Sequence, residues 1–119
     1  MNVSVITKSN VTSEALDILA KELPAIISGL LEVPGGYMAL LKPEQVSLEF
    51  SQASIRDVGS DIRIKILSSS NEPRLSSKHT LAREILEKIV SLFSKFAEEY
   101  SIDIRLYLME IGVAEHLVG

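Results

Sequence analysis

Twice along this chain the spacing of apolar side chains changes from every second residue to every third or fourth and back again, and the two passes begin about sixty residues apart. That arrangement leaves few folds open. A strand, a long amphipathic helix and a second strand form a unit in which the helix buries its apolar stripe on a sheet, and the crossover makes the flanking strands parallel. Two such units in succession predict an α+β fold, pseudo-repeated, with two helices on one face of a four-stranded mixed sheet plus a short extra strand.

The first pass opens over residues 1–7, with Val3 and Val5 on one face and Asn2, Ser4 and Ile6 on the other. Lys8 to Thr12 supply turn and cap residues, after which Leu16, Leu19, Leu23, Ile26 and Leu30 recur at helical spacing over 13–31. Pro24 falls inside that helix and removes a donor opposite the Ala20 carbonyl, so a kink or a break is expected. Val33 to Gly36 read as a turn, residues 37–41 as a second strand, and Val46, Leu48 and Phe50 as the short third one. In the second pass Ile62, Ile64 and Ile66 alternate with Arg63 and Lys65 over 61–67. A polar loop follows from Ser68 to Leu75, then a helix capped by Ser76 or Ser77 that carries Leu81, Ile85, Ile89, Leu92 and Phe96 as far as Tyr100. Ile104, Leu106 and Leu108 alternate with Arg105, Tyr107 and Met109 in a last strand. No linker divides the chain, so 1–119 reads as one domain with halves at about 1–58 and 59–119.

Composition narrows the chemistry. Sixteen acidic against 12 basic residues give a net charge of −4, and with 5% aromatic residues and no Trp the chain lacks the basic, stacking face of a nucleic-acid module. The absence of Cys removes disulfides, thiolate zinc sites and cysteine nucleophiles, and fits a reducing compartment. His79 and His116 have no partner at metal-ligand spacing, and Ser68, Ser69 and Ser70 lack the glycines of a phosphate loop, so neither metal nor cofactor is expected. Apolar runs end well short of the roughly 18 residues of a membrane span and no leader pattern is present; a cytoplasmic protein is expected.

The sheet face away from the helices should carry Ser4 and Ile6 or their neighbours, part of Tyr37 to Leu41, Arg63, Lys65, Leu67, Arg105, Tyr107 and Met109. This set is too apolar for plain surface and too charged for a core, which suits a subunit interface around a wet, cationic lumen. Arg63 and Lys65 would attract small anions there.

The stretch Val33-Pro34-Gly35-Gly36-Tyr37-Met38-Ala39, followed by Pro43-Glu44-Gln45 and Phe50, resembles the tautomerase superfamily, specifically its macrophage migration inhibitory factor branch. The order of elements is similar over roughly residues 1 to 111. The resemblance implies a homotrimer whose sheets wrap a channel, with sites between neighbours, and keto–enol chemistry in which an N-terminal proline is the general base. That proline falls on Asn2, whose amide does not titrate, and the family's turn lysine falls on Val33. With Met1 retained, the terminal amine is displaced by one strand residue, about 3.3 Å. The resemblance therefore implies a binder of a small anionic keto acid whose isomerase activity is weak or lost. Its site would comprise Met1, Asn2, Val33 and Tyr37, with Arg105 to hold a carboxylate and Tyr107 to donate to an enolate oxygen. A second reading stays open: a non-enzymatic, ferredoxin-like ligand-binding or regulatory module, which would have no use for the strand at 46–50.

Overall fold

A computed structural model describes residues 1–31, 43–95 and 99–119. In chain order these form β1 (Asn2–Thr7), α1 (Ser13–Leu31), a single 3-10 turn (Pro43–Gln45), β2 (Ser47–Gln52), β3 (Ile62–Ser69), α2 (Glu72–Ser94) and β4 (Ile102–Met109). The four strands make one sheet in the order β2-β1-β3-β4. β1 pairs parallel with β2 and β3 parallel with β4, while the central β1–β3 pair is antiparallel. Each strand-helix-strand half is thus a parallel pair, and the halves meet head to tail at the middle of the sheet.

Alternation decides which face is covered. Val3 and Val5 of β1 and Ile62, Ile64 and Ile66 of β3 pack beneath Leu19, Leu23 and Ile27 of α1 and Ile85, Ile89 and Phe93 of α2, all at most 2% exposed. At about 25 cal/mol per Å² this apolar layer is the chief stabilising contribution. The Thr12 hydroxyl accepts the Ala15 N–H at 3.2 Å and starts α1. Tyr100 closes the far end, its ring edge-on to Phe93 at 5.4 Å and its hydroxyl accepting the Thr12 N–H at 3.3 Å.

Several boundaries differ from the sequence reading. α1 is unbroken across Pro24, because Leu19, Leu23 and Ile27 on both sides of it are seated on the sheet. The strand at 46–50 is no accessory: as β2 it runs Ser47–Gln52 and is the full edge partner of β1. The split strand-helix-strand arrangement of ferredoxin-like folds is therefore not present, since β1 and β2 are neighbours. The expected turn at Val33 to Gly36, the strand at 37–41 and Phe96 lie outside the described residues. The polar loop at 68–75 is mostly ordered structure, with Ser68 and Ser69 ending β3 and α2 beginning at Glu72. Asn71, not Ser76 or Ser77, is the cap: its side chain accepts the Arg74 N–H at 2.9 Å, and Pro73 occupies the first turn where no donor is required. Among the described residues, no helix is long and apolar enough to cross a membrane.

Candidate functional site

The strand register sorts the uncovered sheet face into rows. Ser47, Asn2, Leu67 and Tyr107 form one; Glu49, Ser4, Lys65 and Arg105 the next; Ser51, Ile6, Arg63 and Asp103 the third. The Ser4 hydroxyl donates to Glu49 Oε1 at 2.6 Å, which fixes both side chains on this face. Asn2 is exposed and Tyr107 is 40% exposed, with Leu67 between them. Two strand spacings put their backbones about 10 Å apart. Met1 turns the other way and packs half-buried against the core, while its carbonyl accepts the Ser47 N–H at 2.9 Å.

Two cations of this face carry ion pairs. Arg63 Nη2 donates to Asp57 Oδ2 at 2.7 Å, and Arg105 Nε to Asp103 Oδ2 at 3.2 Å. The backbone N–H of Gly59 and the Arg63 guanidinium hold the Asp57 carboxyl below its ordinary range, and Asp103 pushes Arg105 further up. Lys65 shares its row with Glu49. An anion arriving at Arg63 would have to displace a carboxylate, whereas the Arg105 side chain is 63% exposed beside Asp103 and is open to one. Arg63 Nε is buried and unbonded among the described residues.

A cation that sequence patterning missed lies at the end of the sheet where β3 finishes beside Asn2. Arg74 is only 7% exposed. Its Nε donates to the Leu31 carbonyl at 3.1 Å, and Nη1 to Ser68 Oγ at 3.1 Å, Ser69 O at 3.0 Å and Ser69 Oγ at 3.3 Å. Neither of the two ion pairs among the described residues involves it, and burial alone lowers its pKa. The first turn of a helix disfavours a cation, whereas the carbonyl end of α1 at Leu31 favours one. A signal was available: Asn-Glu-Pro at 71–73 marks a helix start, which puts Arg74 in that first turn. Val33 and Tyr37 lie outside the described residues; His79 and His116 are exposed. Among the described residues, no group of His, Asp and Glu is placed to hold a metal.

No protein-family model matches the sequence, and no curated protein matches it either. Solved structures do share its fold. A fused 4-OT protein described as a symmetric trimer superposes with a TM-score of 0.65 at 16% identity, covering 98% of this chain and 94% of the other. A second fused 4-OT, described as an asymmetric trimer, gives 0.66 at 12% identity over 95% and 92%. A member of the cis-3-chloroacrylic acid dehalogenase family gives 0.62 at 13% identity over 93% of this chain and 75% of that one. These are tautomerase-superfamily structures, and the chain has their fold.

Proposed function

We propose that this chain, built on the tautomerase fold, is a cytoplasmic homotrimer that binds a small keto-acid carboxylate at the Asn2 end of its sheet and isomerises it weakly or not at all. The observation that carries the reading is Arg74: a buried guanidinium with no carboxylate partner among the described residues, held by Leu31 and Ser68 on the helix side of the sheet end whose other side carries the row of Asn2 and Tyr107. A buried cation is tolerated where hydrogen bonds compensate it, and a bound anion compensates it further. The fused 4-OT structures with this fold are described as trimers, which supports self-association here. Placement nearest the macrophage migration inhibitory factor branch rests on residues 33–39, Pro43-Glu44-Gln45 and Phe50.

In this reading Arg105 of a neighbouring copy holds the carboxylate at the sheet end, Arg74 lends positive charge from the helix side, and Tyr107 donates to the enolate oxygen. Arg63 and Lys65 shape the field around the site, and Val33 and Tyr37 complete its wall. What is missing is the base. Proton transfer at carbon needs a group with a pKa near the working pH within hydrogen-bond reach, and the Asn2 amide has none.

The test is titration and turnover of an enolisable keto acid by the natural chain and by Asn2→Pro, with the N-terminus of each defined by mass spectrometry. The natural chain should bind without brisk turnover. Asn2→Pro that has lost its methionine should gain ~10²–10⁴-fold, the contribution of a positioned base. Brisk turnover by the natural chain would mean another base exists, and no binding by either would remove the carboxylate site.

A further inference from the structure

We infer that Arg63 is a second carboxylate-binding site of this chain, one whose resident ligand in the free protein is the chain's own Asp57 and which a small carboxylate opens by taking that place. The inference goes beyond the site proposed at the Asn2 end and does not depend on it. Leu67 is the β3 partner of Asn2, and Arg63 lies about 13 Å from it along the strand.

The way Arg63 is partnered carries the argument. A guanidinium presents parallel donors along one edge, and a carboxylate that accepts from both makes its strongest pair with it. Asp57 takes only one of them. Its Oδ2 accepts Arg63 Nη2 at 2.7 Å, while its Oδ1 is turned aside to accept the Gly59 N–H at 2.7 Å. Arg63 Nε, the neighbour of Nη2 on that edge, is buried and has no partner among the described residues. Asp103 stands opposite Arg63 in the β3–β4 register, but its Oδ2 accepts from Arg105 Nε at 3.2 Å. A buried donor left without an acceptor is costly, and a ligand whose oxygens lie along Nε and Nη2 together removes that cost. Lys8 also favours the ionised Asp57 carboxyl, so an anion at this place meets two positive charges.

The segment that delivers Asp57 is fastened lightly. It covers residues 53–60 between β2 and β3 and contributes nothing to the apolar core, and its Ile55 and Val58 are each 95% exposed. Ala53 N donates to Thr7 O at 2.8 Å where the segment leaves β2; beyond that, Asp57 is its hold on the sheet among the described residues, since Asp57 N to Ser54 O and Arg56 N to Ser54 Oγ are bonds within it. Gly59 lets the chain lie close, because a Cβ there would stand 3.1 Å from Arg63 Nη1 and 3.2 Å from its Cδ. A segment with so little apolar contact opens at low cost. Releasing Asp57 breaks one ion pair and the ligand restores one, at side chains that are each 25% exposed.

Titration with sodium acetate at constant ionic strength tests this, read from the Arg63 Nε–H and Gly59 N–H resonances in proton–nitrogen correlation spectra. Both signals are local to this end of the sheet, so the result is independent of binding at the Asn2 end. In the natural chain acetate should move both saturably, the first because it gains an acceptor and the second because it loses Asp57. Asp57→Asn leaves a carbonyl oxygen for Gly59 but removes the competing charge, and should lower the acetate Kd at the Arg63 signal at least about tenfold. In Arg63→Gln the Gly59 signal should no longer saturate. The inference is overturned by the absence of a saturable shift in both the natural chain and Asp57→Asn, by an equal Kd in the two, or by unchanged saturation in Arg63→Gln.

Discussion

Asp61 accepts the Ser101 N–H at 2.9 Å while its own N–H donates to the Ser101 hydroxyl at 2.8 Å, joining the approach to β3 to the approach to β4. The Ser101 backbone is the main cause holding Asp61 below its ordinary value of 3.8, as the Gly59 backbone is for Asp57. A folded-state pKa depressed in this way contributes stability that is full above the unfolded pKa and is lost as pH falls through the folded one. The thermal midpoint should therefore hold from about pH 7 to pH 5 and drop below about pH 4. Asp57→Asn combined with Asp61→Asn should flatten that acid limb. Both carboxylates are half-buried and in reach of solvent, so the effect is modest; an identical acid profile in the variant would contradict the assignment. Asp57, Asp61 and Arg74 share a reason for being invisible in sequence. Each takes its role from backbone groups brought close by folding, and no periodicity encodes those. Asn2 was legible as an amide where chemistry needs a base, because that argument depends on residue type alone.

Hydrophobic period placed the four described strands and both helices, since alternation at 62–66 and a helical stripe at Leu19 and Leu23 are direct images of the buried face. It failed where the pattern was silent. The first turns of α2 carry no apolar stripe: Arg74 is what they bury, so the apolar rhythm begins only at Leu81 and the helix start was placed several residues late. In α1 the proline rule was overridden by packing, and the residual cost is measurable. Pro24→Ala restores a donor to the Ala20 carbonyl and should stabilise the fold by about 1–3 kcal/mol in urea unfolding. Gly29→Ala, whose Cβ would meet nothing within 4 Å, should add about 0.5–1 kcal/mol. A loss of stability in Pro24→Ala would mean that the local backbone of the helix depends on the ring.

The uncovered sheet face joins these observations to function. Ile6 and Leu67 are half-buried there and Tyr107 and Met109 about 40% exposed, beside the ion pairs Arg63–Asp57 and Arg105–Asp103. A face both apolar and charge-matched is suited to meeting copies of itself, and the site proposed at its Asn2 end draws Arg105 from a neighbour. The ligand is illegible in sequence, because in the proposed site its surroundings come from separate chains. Sedimentation equilibrium of the natural protein at micromolar concentration is the direct measurement. A single species close to three times 13.1 kDa is expected; a single species at 13.1 kDa would contradict the shared site and the assembly together.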